Sequence, residues 1–401
     1  MKPAKNILVI TYWSFSDALI QTYTLPYLKI IADQLSAESK IYLVTLEKEN
    51  YNTTKIINGT SIINQRYKYS TFGLSASFSW VKNIFLLRSL IKKNEINYIH
   101  SFCTPAGMIG YILSKLSGKP LILDSYEPHA EAMVENGEWQ NTSLSFKILF
   151  HFEKKQTQHA KIIIGTTKGM KGYALNKYNV TIPDFYVKPA CVDLEKFSRP
   201  YKKDAALLNK LNLHNKIVCV YAGKFGGIYL KKEVFEFYKA CYQKWKDNFV
   251  ALLLTNHALE EIKEMLTEFE LPETIFRILY VPHAEVNRYI GLGDFAITPV
   301  KPVNTKKYCT PIKDGEYWAM GLPVVITKNI SDDSDIINDN NIGYVLQELN
   351  ANEYTNAVNK IDQLLTDKTA DELYPGIRSI AEKYRNYSIA KDIYQKIYSI
   401  E

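Results

Sequence analysis

The residues best placed for chemistry lie in Thr310–Ile326, TPIKDGEYWAMGLPVVI. The pattern predicts a polar, lysine-bearing turn, a short helix over Asp314–Met320, and an apolar β-branched strand opened by Pro323. Gly321 and Pro323 supply the stop signals expected at a helix end. On this reading Glu316 sits in the first helical turn, beside free backbone N–H groups and the positive end of the dipole. Such a helix start can hold a phosphate, and a carboxylate beside it can accept hydrogen bonds from hydroxyl groups. An ordinary βαβ connection with a dipole-favouring glutamate explains the same residues equally well.

The elements that must position this segment alternate along the whole chain. Lys5–Thr11, Lys40–Leu46, Asn97–Ser101, Lys119–Asp124, Lys161–Gly165 and Phe185–Lys188 read as strands, with helices over Leu25–Leu35, Val81–Lys93, Thr104–Leu116 and Ser143–His159 between them. The alternation predicts a doubly wound parallel sheet. It restarts at Lys216–Tyr221, followed by a turn with Gly223, Gly226 and Gly227 and a helix from about Lys231 to Trp245. Phe249–Leu254, Ile275–Leu279, Phe295–Thr298 and Val324–Thr327 continue the second series. Between the two lies Lys196–Asn209, polar, basic and proline-containing, which marks the expected boundary. The predicted units are residues 1–198, residues 199–379, and a C-terminal helix over 380–401 that can cross back to the first. Open sheets of this kind bind ligands outside the carboxyl ends of their strands, in a cleft between the halves.

Composition narrows the function classes. A chain of 401 residues is too long for one ordinary core. Its 46% hydrophobic and 23% charged residues are those of a soluble globular protein. The apolar runs are far shorter than the ~20 residues a membrane helix needs, and MKPAKNILVITYW reads as a first buried strand rather than a leader. Five scattered cysteines with no C-x-x-C spacing argue for a reducing, cytoplasmic compartment, against a disulfide framework and against a zinc site. The net charge of +7 is dispersed, which disfavours nucleic acid and suits anionic small molecules or an anionic membrane surface. Ser77–Asn94 mixes Trp, Phe and Leu with four cations, so it fits a peripheral contact with the inner face of the cell membrane and, equally, an inward-packing helix.

Five segments, in order, resemble glycosyltransferase family 4, the retaining nucleotide-sugar transferases of GT-B fold. His159–Thr166 (HAKIIIGT) is similar to the strand that ends the family's N-terminal domain, and Val187–Phe197 (VKPACVDLEKF) to its interdomain signature P-N-G-V-D-x-x-x-F. Tyr221–Lys232 (YAGKFGGIYLKK) resembles the loop that opens its C-terminal domain. Val281–Pro299 and Pro311–Val325 resemble the two segments that follow. The implied fold is α/β: two Rossmann-like doubly wound domains facing each other across a cleft, the first binding acceptor and the second binding donor.

The resemblance implies roles residue by residue. Glu316 matches the second glutamate of the E-x7-E motif, the ribose ligand. Lys224 matches a diphosphate-binding cation, with Lys231 (or Lys232) as the second and Lys313 as a third; Gly223, Gly226, Gly227, Asp314 and Gly315 complete the donor side. Fixed cations stabilise a leaving diphosphate without a metal or cofactor. His129, in the loop SYEPHAE, matches a histidine that faces the reacting sugar, with Glu127 and Glu131 as acceptor contacts. Two departures stand out. Tyr308 occupies the place of the first glutamate, which leaves the sugar unread, and Trp13–Asp17 (WSFSD) replaces the glycines of the first loop, with Asp17 as its polar candidate. The expected activity is transfer of a hexose from a UDP- or GDP-sugar to a glycan or lipid-linked acceptor in surface-polysaccharide assembly. A nucleotide-sugar epimerase of the same fold and a non-catalytic binding member are the alternatives.

Overall fold

The computed structural model describes residues 3–57, 59–69 and 74–399. The chain divides into two compact units, one of Met1–Pro189 with Ser388–Glu401 and one of Ala190–Tyr387. The division therefore falls ahead of the basic segment expected to be a linker. Val192, Phe197, Leu207 and Leu211 are buried in the core of the second unit, and the half-buried Lys196, Lys202 and Lys203 donate to the backbone carbonyls of His283, Met320 and Leu292, so the segment packs rather than links. Burying each such apolar side chain stabilises by roughly 1.5–3 kcal/mol, enough to fix it there.

The first unit holds an eight-stranded sheet built from β1 (Asn6–Ile10), β2 (Ile41–Glu47), β3 (Thr53–Ile56), β4 (Ile62–Lys68), β5 (Ile96–Phe102), β6 (Leu121–Tyr126), β7 (Ile162–Gly165) and β8 (Phe185–Val187), in the order β3-β4-β2-β1-β5-β6-β7-β8. All pairs are parallel except β3 with β4. β3 and β4 carry too many polar residues for the sequence pattern to single them out: β3 (TTKI) is exposed throughout, and IINQRYK buries only Ile62, Asn64 and Tyr67. The order reverses between β1 and β5, the kind of switch point at which ligands bind.

A buried polar cluster fastens the C-terminal helix Tyr387–Ser399 to this sheet. Asp124, at the end of β6, accepts from Tyr394 Oη at 2.6 Å and lies 3.1 Å from His100 Nε2 and 3.2 Å from Lys188 Nζ. Tyr398 Oη lies 2.6 Å from His100 Nδ1. The Lys188 ammonium, fully buried, also sits 3.5 Å from the centre of the Tyr27 ring. Burial alone would raise the Asp124 carboxyl, but the Lys188 charge and hydrogen bonds from His100 and Tyr394 hold it below the usual carboxylate range. Removing one member of such a cluster leaves an uncompensated buried charge, at a cost of about 3–5 kcal/mol.

The second unit holds a six-stranded parallel sheet of β9 (Ile217–Ala222), β10 (Phe249–Leu254), β11 (Phe276–Leu279), β12 (Phe295–Thr298), β13 (Val324–Thr327) and β14 (Gly343–Leu346), in the order β11-β10-β9-β12-β13-β14. Alternation sorts its side chains onto two faces. Val218, Val220, Val250, Leu252, Ala296, Val324 and Ile326 join one apolar cluster, while Cys219, Tyr221, Ala251, Leu253, Phe295, Ile297 and Val325 join the other. Both faces are thus covered, as expected of parallel sheets. Here the order reverses between β9 and β12, so the loops after those strands occupy the switch point.

Candidate functional site in each unit

In the second unit the loop after β9 is pinned at its base and open at its tip. Tyr221 Oη donates to Lys224 O at 2.5 Å, and the Phe225 amide lies 2.7 Å from His257 Nε2. Gly226 and Gly227 follow with φ of +78° and +60°, a left-handed pair that only glycine adopts without strain. No atom lies within 4 Å of where a Cβ would stand on either. Gly223 is constrained by space instead: a Cβ there would meet Lys313 Cε at 2.8 Å and Nζ at 2.9 Å. The Lys313 ammonium therefore lies across Gly223, 3.9 Å from the centre of the Tyr229 ring.

Lys313 belongs to the helix Ile312–Ala319, which begins two residues earlier than the sequence suggested. The shift moves three expected site residues. Glu316 stands in the second turn rather than the first. It is nearly buried, 7% exposed, with Oε1 3.7 Å from His283 Nε2. Asp314 occupies the first turn but points into the core, 0% exposed, where it accepts from Thr298 Oγ1. Burial and the neighbouring Asp333 charge push its carboxyl well above the ordinary range, which keeps it neutral, while Arg385 pairs with Asp333. Gly315 is buried because a Cβ would press on Val192 Cγ1 at 2.9 Å and Arg385 Cγ at 3.0 Å. Asp314 and Gly315 are thus turned into the core and pack the helix.

Of the other cations, Lys224 is exposed with no side-chain partner among the described residues, whereas Lys231 lies 3.4 Å from Glu261 and Lys232 pairs with Glu268. Two residues unforeseen from sequence join Glu316. Lys196 Nζ lies 3.1 Å from His283 Nδ1 and donates to His283 O at 2.7 Å. An ammonium only donates, so Nδ1 accepts and the ring proton resides on Nε2, facing Glu316. Burial lowers the Lys196 ammonium, opposed by Glu316 and Asp193. Lys196, His283 and Glu316 thus stand in line, with the imidazole between the ammonium and the carboxylate. Tyr308 is buried, 9% exposed.

In the first unit His129 opens the helix His129–Glu135 after β6, with Nδ1 3.2 Å from Glu127 Oε1. A fully buried glutamate fixes that turn: Glu153 accepts from the Ala130 amide and from Tyr178 Oη, both at 2.8 Å. Burial raises its carboxyl to about 7, with those hydrogen bonds opposing. Glu131 is occupied by Tyr173 Oη at 2.8 Å and Lys177 Nζ at 2.7 Å, and does not line the cavity that His129 lines. Asp17 does line it, and its Oδ1 caps the following helix through the Leu19 amide at 2.8 Å. Among the described residues no group of three His, Cys, Asp or Glu side chains could hold a metal ion, and no helix is long and apolar enough to cross a membrane.

The comparisons with known proteins agree with this architecture. The family model of the glucosyltransferase 3-like C-terminal domain matches residues 301–397, which include the Glu316 helix. No curated protein sequence matches the chain. Among solved structures, sucrose-phosphate synthase from Thermosynechococcus elongatus superposes with a TM-score of 0.75 at 14% identity, over 99% of this chain and 98% of that one. Anabaena HepE in complex with UDP-glucose superposes with a TM-score of 0.71 at 13% identity, over 98% and 100%. WaaG, a glycosyltransferase involved in lipopolysaccharide biosynthesis, gives 0.71 at 12% identity, also over 98% and 100%. Two Rossmann-like units with parallel sheets, matched along almost the full chain, define the GT-B fold class.

Proposed function

We propose that this chain is a retaining glycosyltransferase that moves a hexose from a UDP- or GDP-sugar to a glycan or lipid-linked acceptor in surface-polysaccharide assembly. The observation that carries the reading is the Lys313 ammonium lying across Gly223, with Glu316 on the same helix and Lys224 in the same loop. A nucleoside diphosphate laid over Gly223–Gly227 meets two cations and an uncapped helix start, and its ribose hydroxyls donate to Glu316. The match to the glucosyltransferase 3-like domain and the UDP-glucose held by Anabaena HepE support this reading. The acceptor oxygen bonds to the anomeric carbon as that carbon's bond to the diphosphate oxygen breaks, on the same face. The acceptor proton passes to the leaving phosphate. Lysine charge then stabilises the departing diphosphate without a metal or a cofactor. In the first unit, His129 is the residue we assign to the reacting sugar, on the resemblance of its loop.

A cytoplasmic location with a peripheral membrane contact belongs to the same proposal. The helix Leu74–Lys93 packs Leu87 and Ile91 inward while exposing Val81, Phe85 and Leu86 beside Lys82, Arg88 and Lys92. The inward face fits the packing reading, and the exposed face supports the proposed membrane contact; the side chains of residues 77–79 lie outside the described residues. Phe85→Glu should abolish co-sedimentation with anionic phosphatidylglycerol vesicles. The principal test is release of UDP or GDP from their sugars. Glu316→Ala and Lys224→Ala should both lose it, and full activity in both variants refutes the assignment.

A further inference from the structure

The first unit contains a cavity where the resemblance implies an acceptor but leaves its chemical class open. An open cavity of about 850 Å³ lies at the carboxyl ends of β1, β2 and β4, a size suited to a ligand larger than one sugar ring. Its walls come from Tyr12–Asp17, Glu47–Asn50, Arg66, Tyr69 and His129. The loop after β1 is held rigidly: the Leu46 amide donates to Trp13 O at 3.0 Å, and the Phe15 amide donates to Glu47 Oε1 at 2.9 Å. Thr45 Oγ1 donates to that same oxygen at 2.7 Å, and the Tyr69 amide donates to Glu47 O at 2.7 Å. Glu47 is 9% exposed, with Oε1 fixed by two donors and Oε2 bonded to no other group among the described residues.

Trp13, Phe15 and Tyr69 add aromatic surface to the wall, and the Arg66 guanidinium is set 5.3 Å from the Phe15 ring centre with Nε donating to Asn64 at 2.9 Å. A sugar ring offers what this wall accepts: a C–H face for an aromatic ring and hydroxyl donors for a preset carboxylate. The charges also select. Three acids (Asp17, Glu47, Glu49) line the cavity beside Lys48, Arg66 and His129, so no excess of cations is set there for a diphosphate or other polyanion.

From this geometry we infer that the cavity seats the uncharged end of an oligosaccharide acceptor, with Glu47 and Trp13 as its recognition residues. The inference rests on the transferase reading and names the acceptor class within it: a neutral glycan end rather than the diphosphate of a lipid carrier.

The test uses the full chain without donor and an array of neutral di- to tetrasaccharides, with binding confirmed by saturation-transfer NMR. Neutral saccharides should bind, and Glu47→Gln and Trp13→Ala should each weaken them about 10- to 100-fold, the range for a lost charge-assisted hydrogen bond. UDP affinity, read by calorimetry, should stay within twofold in both variants, which also reports that each variant is folded. No binding on the array, or binding undiminished in both variants, overturns the inference. If UDP binds and transfer proceeds only to polyprenyl-diphosphate acceptors, the inference falls and the transferase reading stands. If saccharides bind through Glu47 and Trp13 while no nucleotide-sugar binds, the site stands and the transferase reading falls.

Discussion

The loops after β1 and β9 hold the same topological position in two Rossmann-like units, yet their chemistry is opposite. The first reads WSFSD, has no glycine, and is tied by its backbone to the end of β2. The second reads GKFGG, takes two left-handed residues in succession, and leaves open space above them. Bare backbone with cations at its side suits a phosphate; aromatic rings with a fixed carboxylate suit a sugar. On the proposed reading one fold position serves two ligands, with local sequence deciding which.

The strongest way to break that contrast is Lys313→Ala. Removing a charge aimed at the leaving group should lower kcat/KM for UDP-glucose roughly 10²- to 10³-fold with little change in melting temperature. Unchanged kinetics would mean that the lysine packs on Tyr229 and does no more. Next in size is the pH response of the first unit. Glu153 has its carboxyl raised by burial to about 7, above an unfolded value of 4.5, so its contribution is full below pH 4.5 and is lost as pH rises through 7. Urea unfolding of the first unit at pH 5 and pH 8 should differ by up to about 3 kcal/mol, and Glu153→Gln should flatten the difference. Gly227→Val forces a β-branched residue to φ of +60°, at a cost of about 1–3 kcal/mol, and should weaken UDP binding in calorimetry while sparing saccharide binding. The smallest effect is expected of Asp314→Asn. A neutral buried carboxyl and an amide are nearly isosteric, so stability should change by less than about 1 kcal/mol and UDP affinity should hold. A large loss of UDP affinity would return Asp314 to the donor site.

How far the sequence could be read depended on whether a residue's partner was local. Apolar β-branched runs such as ILVI and FVALLL revealed β1 and β10, because a strand buried on both faces needs no partner to be recognised. Glu316 was legible through its helix, stop glycine and following strand. The segment from Thr53 to Lys68 was not, because TTKI is exposed throughout and IINQRYK buries only Ile62, Asn64 and Tyr67. Lys196 and His283 are 87 positions apart, and only tertiary structure shows that the lysine sets the imidazole tautomer. Asp314 misled for a related reason. A charged residue at a helix start reads as solvent-facing until Asp333 and Arg385, far along the chain, are found beneath it. Glu47 simply ended a strand, and nothing in its neighbours announced a cavity.

The placement of Tyr394 and Tyr398 in the first unit has a consequence for biosynthesis. The hydroxyls that complete the Asp124 and His100 cluster are translated last, after roughly 200 residues of the other unit. At ~5–20 residues per second that is a wait of ~10–40 s. During it the emerging first unit carries a buried-charge network with two donors missing, a nascent chain in need of shelter. A ribosome that stops at Tyr387 would leave a complete second unit beside a first one unable to close.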